Sequence, residues 1–196
     1  MVFIRSLRLL APESGLDRLF ELVSFLLLAV PFAPYVLTQA PGPGDLARTL
    51  AAVGLTALWL ALFLVVAPPR ARENHLVMSL YMVGLVVASG VLIARSPWFS
   101  FFCWIGYVHG NRYLAGSGRY VATMATAVLV AVGQTGGFHR LTVALAGIIA
   151  VIALLNATLV TLFVTVGQRS EQQSEQRQRM LVQLAESNRR LEETMA

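Results

Sequence analysis

Apolar residues fill most of the chain in long blocks, and short polar or proline- and glycine-containing segments separate these blocks. A helix that crosses the hydrocarbon core of a bilayer needs about 20 mostly apolar residues. By that criterion the pattern predicts six spans, at 19–37, 46–67, 75–94, 98–114, 120–132 and 141–166. The expected fold is therefore all-α, a polytopic membrane helix bundle of about six spans with short loops.

Two spans have irregular features. Pro31 and Pro34 fall in the first span and predict a kink near its far end, because proline lacks a backbone N–H and clashes with the preceding turn. The fourth span begins with the short run WFSFFCWIGYV at 98–108. Extended to Leu114, it reaches roughly 25 Å by the α-helical rise, which is short for a membrane crossing.

Composition supports the membrane assignment. Hydrophobic residues make up 57% of the chain and charged residues 13%, and the mean hydropathy is +0.68. A soluble domain has roughly 25% charged residues. The chain has a net charge of +5, and all 15 of its basic residues are arginine. Cytoplasmic loops of membrane proteins normally carry such an excess of positive charge. No nucleic-acid partner is needed to explain it.

The distribution of arginine predicts the orientation. With six spans and both termini in the cytoplasm, the inner segments before the tail hold seven arginines: Arg5, Arg8, Arg18, Arg70, Arg72, Arg112 and Arg119. The outer loops then hold three: Arg48, Arg95 and Arg140. If 98–114 did not span, the count would be four inside and six outside. The positive-inside rule favours six spans.

The last 30 residues, 167–196, are polar and contain neither proline nor aromatic residues, so the sixth span is expected to continue into them as a helix. Steps of 3, 4, 3 and 4 separate Leu181, Leu184, Asn188, Leu191 and Met195, as in the a and d positions of a coiled coil. These two heptads fall short of the about three or four that identify a coiled coil. A lone polar amphipathic helix remains the alternative.

The predicted organisation has three parts: a cytoplasmic N-terminal segment at 1–18, a transmembrane domain at 19–166, and a cytoplasmic signal-transmitting helix at 167–196. Asn188 would occupy an a position, where a polar side chain tends to set register and dimer state. The final helix has neither a C-cap glycine nor a basic last turn, so we expect more protein to follow Ala196.

The fourth span concentrates the candidate sensing residues: Trp98, Trp104, Tyr107, His109, Asn111 and Arg112. The aromatic residues favour the membrane interface and would form a lipid-facing belt, or would pack in the core. The HGNR motif at 109–112 places ionisable groups at membrane depth. Such groups are costly in a bilayer, so the motif is a candidate functional site. An interfacial helix end with its polar groups among the headgroups is the alternative.

The sixth span has a face of small residues, a pattern that lets membrane helices approach closely. Its candidate dimerisation and transmission residues are Ala150, Ala153, Asn156 and Ala157, continued in the tail by Leu181, Leu184, Asn188 and Leu191. The pattern fits a dimer seam and packing within the bundle equally well.

Catalytic and metal chemistry find little support. Cys103 is the only cysteine, and the three histidines are not spaced as metal-ligand pairs. We therefore predict no catalytic residue, metal or cofactor in this chain. Intramembrane transport normally uses polar residues in several spans or broken helices in matching halves, and no internal repeat is present here.

Three segments carry a resemblance to a known family: SPWFSFFCWIGYVHGNRYL at 96–114, AVGQTGG at 131–137 and QLAESNRRLEETMA at 183–196. They resemble the N-terminal membrane region of bacterial, actinobacterial-type two-component sensor histidine kinases that pair with LuxR/NarL-type response regulators. The last segment resembles the linker into the dimerisation and phosphoacceptor helix. None of His75, His109 and His139 is followed by an acidic residue, so no phosphoacceptor motif is present.

The resemblance implies a homodimeric sensor in the bacterial inner membrane. Bilayer state, a lipophilic ligand or a membrane-protein partner would repack the spans, and the sixth helix would pass the change to a kinase domain absent from this chain. ATP, Mg and a response regulator would belong to that domain. The alternatives are a small transporter or transporter accessory subunit, and a membrane scaffold that recruits partners through its tail.

Overall fold

The computed structural model describes residues 15–68, 71, 74–140 and 142–195, and the regular elements in these residues are all helical. For 15–20, 185–195 and a few other positions, only the backbone is described. Within the described residues, seven α-helices follow one another: α1 Gly15–Ala29, α2 Phe32–Gln39, α3 Pro43–Ala61, α4 His75–Arg95, α5 Ser100–Tyr113, α6 Ser117–Gln134 and α7 Val143–Met195. The N-terminal segment predicted at 1–18 lies largely outside the described residues.

Four of the described helical segments are long and apolar enough to cross a membrane: Glu21–Gln39, Pro43–Val66, His75–Arg95 and Val143–Gly167. The protein is thus an all-α protein with the helices of a membrane protein. The predicted helices at 98–114 and 120–132 are present as α5 and α6, but neither is among the four. The 14 residues of α5 extend about 21 Å, against about 30 Å for the hydrocarbon core.

The predicted kink in the first span is confirmed. Helix α1 ends at Ala29 and α2 begins at Phe32, so the helix breaks at Pro31. Helix α2 ends at Gln39, and the C-cap residue Ala40 adopts a left-handed conformation with φ of 39° and donates its N–H to the Val36 carbonyl. Helix α3 continues into a π-helical turn at Leu62–Val66.

Side-chain caps mark the start of α4 and the start of the 3₁₀ turn that follows it. The Asn74 side chain accepts a hydrogen bond from the Leu76 backbone N–H at 2.9 Å and so caps the helix N-terminus. After α4 ends, the Ser96 hydroxyl accepts from the Trp98 N–H, and Pro97 occupies the first position of a 3₁₀ turn, Pro97–Phe99, that leads into α5.

The chain divides into two compact units, Met1–Ala157 and Thr158–Ala196. In the first unit, large side chains such as Leu60, Tyr81 and Phe102 are fully buried and form one core. The outer faces of the same helices expose leucine and valine: Leu55, for example, is 70% exposed. Contiguous exposed apolar surface is unusual in soluble monomers and suits a bilayer environment.

Small residues set the spacing of the inner helices. A Cβ atom at Gly106 of α5 would overlap the Thr126 side chain of α6, and one at Gly133 of α6 would overlap Ser100. A Cβ atom at Gly110 would lie 3.1 Å from that of Ala122. Helices α5 and α6 therefore form a closely packed antiparallel pair, which only small residues permit.

The second unit consists of the later part of α7. Met180, Leu181 and Leu184 are each more than 60% exposed, although they are apolar. The side chains of Asn188 and Leu191 lie outside the described residues. The backbone at these positions is helical as predicted, and the coiled coil itself remains a prediction.

Candidate functional site

His109 of α5 is the centre of a buried polar cluster that joins three helices. Its side chain is only 3% exposed. Ring atom Nε2 lies 3.2 Å from Ser24 Oγ of α1, and Nδ1 lies 2.6 Å from the Tyr81 hydroxyl of α4. One imidazole thus ties together segments that are 85 and 28 residues away in sequence.

The hydrogen bonds of the cluster can be satisfied by a neutral ring. A neutral imidazole has one N–H donor and one acceptor nitrogen, whereas a hydroxyl can act in either role. In one arrangement Tyr81 donates to Nδ1 and the Nε2–H donates to Ser24; in the other tautomer both directions are reversed. Both ring nitrogens find a partner in either case, which is how a buried polar group becomes tolerable in an apolar interior.

A row of aromatic rings extends from this cluster to α3. Ring centroids lie 4.8 Å apart for Trp59 and Phe63, 5.2 Å for Phe63 and Tyr81, and 5.7 Å for Tyr81 and His109. On the other side His109 meets Tyr113 edge to face at 5.4 Å. The Trp59 indole N–H also donates to the Tyr81 carbonyl at 3.2 Å, so α3 and α4 are joined by a hydrogen bond as well as by packing.

The HGNR motif is divided by the structure. Asn111 donates to the Tyr107 carbonyl at 2.8 Å, a local bond within α5. Arg112 is exposed, and its guanidinium lies 5.7 Å from the centroid of the Tyr113 ring. Of the polar residues of the motif, only His109 enters the buried cluster. Asn111 and Arg112 lie outside it, in the last turn of α5.

The aromatic run is divided in the same way. Trp98 and Trp104 are 37% and 47% exposed, and the Trp98 indole donates to Thr38 Oγ1 at 3.0 Å. Tyr107 is buried, and it meets Trp104 edge to face at 5.8 Å. The two tryptophans are therefore partly exposed, Trp98 in the 3₁₀ turn before α5 and Trp104 in α5, while Tyr107 packs in the core.

The predicted small-residue face in the first part of α7 contains both buried and exposed residues. Ala153 and Ala157 are buried within the first unit, and Ala150 is exposed. Asn156 donates to Gln134 Oε1 of α6 at 3.5 Å. Part of the predicted face thus packs inside the bundle.

Two buried hydroxyls lack a hydrogen-bond partner among the described residues: those of Tyr107 and Thr126. Thr126 lies where α6 approaches Gly106 of α5. A buried hydroxyl without a partner costs free energy because it has lost its hydrogen bonds to water.

We therefore expect Thr126→Val to raise the free energy of unfolding by about 1 kcal/mol, because it removes the unpaired hydroxyl and keeps the side-chain shape. Thr49→Val is the matched control. Thr49 Oγ1 bonds both Tyr35 and the Asp45 carbonyl, so the same change is expected to destabilise by about 1 kcal/mol. Denaturant titration of the protein in mixed micelles measures both. Equal effects of the two substitutions would contradict the prediction.

The sequence did not single out Ser24, Tyr81 or Trp59. Each is a polar or amphipathic residue inside an apolar block, and that is the one signal that points to them. Their partnership with His109 depends on which helices lie side by side. Among the described residues, no group of three His, Cys, Asp or Glu side chains is placed to hold a metal ion.

In the part of the chain that the structure describes, the fold is all-α, with four apolar helical segments of membrane length and a buried histidine that bridges three helices. Comparisons with protein-family models, with curated proteins and with solved structures find no match to this chain.

Proposed function

We propose that this chain is the membrane-embedded input and transmitter module of a two-component sensor histidine kinase. The observation that carries the proposal is the composition of α7. Its first part, Val143–Gly167, has the length and hydropathy of a membrane span. The later part of the same helix is polar and exposes the apolar side chains of Met180, Leu181 and Leu184. A span followed by a helix with an apolar seam suits the transfer of a signal out of a membrane.

The proposed topology has six spans and cytoplasmic termini in a bacterial inner membrane. Helices α5 and α6 would be the two additional spans. They are short, but a helix packed inside a bundle can be accommodated by local bilayer thinning at modest cost. The arginine distribution supports this orientation.

The proposed input is a change in the packing of the spans. His109 binds side chains of both α1 and α4, so a shift of either helix alters a buried hydrogen bond. Buried polar networks have discrete arrangements, since a half-satisfied network is unfavourable. The cluster is therefore suited to hold one arrangement of the bundle until a signal favours another.

The proposed output is a homodimer in which the tails pair along Leu181, Leu184, Asn188 and Leu191. Rotation or a register shift of such a pair is a known way for helices to transmit a state. ATP, Mg and a response regulator would act on the kinase domain that this class of module controls, and none is expected to bind these residues.

Cysteine crosslinking in native membranes tests the proposal. Single cysteines at positions 181, 184, 188 and 191, in a Cys103→Ala background, are expected to crosslink efficiently between two copies. Cysteines at 182, 183 and 186 face away from the predicted seam and are expected to crosslink several-fold less. The reason is the separation of a and d positions from the remaining heptad positions in a two-stranded coiled coil.

A second arm tests transmission. Adding His109→Ala to the seam variants is expected to change the ratio of crosslinking at 184 to that at 191, because the bundle then loses its three-helix contact. Uniform crosslinking at all seven positions would rule out the dimeric rod. If the crosslinking follows the heptad pattern but the ratio at 184 and 191 does not change with His109→Ala, the protein would instead be a scaffold with a constitutive tail dimer.

A further inference from the structure

A polar recess lies at the end of α4 that is remote from His109. The turn between α2 and α3, the last turn of α4 and the 3₁₀ turn Phe138–Arg140 meet there. Its volume is about 250 Å³. Pockets for drug-sized ligands typically have about 300–1,000 Å³, so the recess suits a smaller molecule. Its polar lining residues are Tyr35, Gln39, Asp45, Thr49, Arg95 and His139.

The floor of the recess offers a hydrogen-bond acceptor. Thr49 Oγ1 donates its only hydrogen to the Asp45 carbonyl at 2.9 Å. The Tyr35 hydroxyl, 3.0 Å from the same Oγ1, must therefore be the donor in that pair. Both side chains are at most 3% exposed. The Tyr35 oxygen consequently keeps its lone pairs for a donor that enters the recess.

The walls add two further acceptors. The His139 Nε2 atom lies 3.2 Å from the Ala94 carbonyl, which can only accept, so Nε2 carries a hydrogen and Nδ1 of the neutral ring is an acceptor. Gln39 uses its amide nitrogen to donate to Ser96 Oγ at 3.0 Å. The amide oxygen of Gln39 is thereby left as an acceptor.

One anion and one cation complete the lining. The Asp45 carboxylate has Arg48 as its ion-pair partner at 3.4 Å, and both side chains are more than 60% exposed. Such a pair contributes little, so a ligand can compete with it. Arg95 ends α4, and its guanidinium has no ion-pair partner among the described side chains. The recess therefore combines opposite charges with neutral acceptors.

We propose that this recess binds a small zwitterion of the α-amino-acid class. The ammonium group, with three donors, would bind the Asp45 carboxylate, the Gln39 amide oxygen and the Tyr35 oxygen. The carboxylate would bind the Arg95 guanidinium, which is suited to a two-point interaction. An inorganic anion would meet Asp45 and the acceptors unfavourably, and a simple cation would meet Arg95. A ligand that carries both charges pairs with Asp45 and with Arg95.

The site deepens the proposed function by giving the module a chemical input, and it rests on that function only for the consequence of binding. In the proposed orientation this end of the bundle faces the outside of the cell. A ligand that joins Asp45 of α3 to Arg95 of α4 would draw the two helices together, and α4 also carries Tyr81 of the buried cluster.

Titration calorimetry on the full chain in lipid nanodiscs tests the site, with the twenty common α-amino acids as probes. At least one is expected to bind. The corresponding amine without the carboxylate, and the acid without the ammonium, are each expected to bind about 10-fold more weakly or worse. Asp45→Asn and Arg95→Gln are each expected to weaken binding by about the same factor, with the thermal unfolding midpoint unchanged.

Arg48→Gln is the matched control, since it removes a neighbouring positive charge that also pairs with Asp45. Binding in this variant is expected to be equal to that of the unmodified chain or tighter. The proposal fails if none of the amino acids binds, if the amine binds as tightly as the amino acid, or if Arg48→Gln weakens binding as much as Arg95→Gln. Calorimetry does not depend on tail pairing. Ligand binding without a heptad pattern of crosslinking would therefore contradict the proposed transmitter function but support the proposed binding site.

Discussion

Replacing His109 with alanine is expected to lower the free energy of unfolding of the bundle by about 3–5 kcal/mol. Truncating a buried ring leaves a cavity, and large-to-small core changes commonly cost about 2–5 kcal/mol. Two hydrogen bonds, to Ser24 and Tyr81, are lost as well. Hydrogen bonds inside membrane proteins contribute about 0.6 kcal/mol on average and up to about 1.7 kcal/mol. The cavity is therefore the larger contribution.

Two other substitutions separate these contributions. His109→Gln keeps a donor and an acceptor in a smaller side chain, and it is expected to recover about half of the loss. Asn111→Ala, two residues further along α5, removes only a local bond to the Tyr107 carbonyl, so a loss of at most about 1 kcal/mol is expected. All variants can be compared by denaturant titration in mixed micelles, with helicity as the signal.

A double-mutant cycle between His109→Ala and Tyr81→Phe measures the direct interaction. A coupling of about 1 kcal/mol is expected, because residues in one hydrogen-bond network are not additive. A His109→Ala variant within 1 kcal/mol of the unmodified chain would mean that the imidazole does not hold α1, α4 and α5 together. The role proposed for it in the input would then fail.

The positions of the helices could be predicted from the sequence because a few strong local signals determine them. The break at Pro31 follows from the chemistry of proline alone. The turn before α5 contains Pro97, which occupies the first position of the 3₁₀ turn Pro97–Phe99, a place where proline is tolerated. Apolar blocks bounded by such residues also located the later helices, since block length and breakers are properties of single segments.

The relation between neighbouring helices could not be predicted in the same way. HGNR was predicted as one polar group, yet α5 turns His109 inward and Arg112 outward. Residues three apart lie on the same side of an α-helix, so periodicity alone does not separate these two residues. Which of them is buried depends on the partner helices. Ser24 and Tyr81 have no unusual local sequence, so they gain significance only through the packing of α1 and α4 on α5.

Helices α5 and α6 are not among the four described segments that have both the length and the hydropathy of a membrane span. A spanning helix is recognised by its mean hydropathy, and a helix surrounded by other helices does not need an apolar surface on all sides. Ser100 and His109 are buried among other helices and lower the hydropathy of α5 without facing lipid. The mean hydropathy of a segment therefore underestimates the ability of a helix inside a bundle to cross a membrane.

The second large effect is expected at Gly84 of α4. A Cβ atom there would overlap the indole ring of Trp59, a rigid group that can move only as a whole. Gly84→Ala is therefore expected to displace the ring and to break its hydrogen bond to the Tyr81 carbonyl. Overpacking commonly costs about 1–3 kcal/mol and a lost hydrogen bond about 1 kcal/mol. We expect a net destabilisation of about 2–3 kcal/mol, together with a change in tryptophan fluorescence.

Gly90 lies on the same helix and provides the matched control. A Cβ atom at this position would meet only Leu129 Cδ2, at 3.8 Å, which is an ordinary contact. Alanine is the better helix former by up to about 1 kcal/mol, so Gly90→Ala is expected to be neutral or slightly stabilising. If Gly84→Ala matched Gly90→Ala, Gly84 of α4 would not be in close contact with Trp59 of α3. Trp59 would then not pack in the row of rings that leads to His109. A movement of α3 would not be transmitted to the buried cluster through this ring.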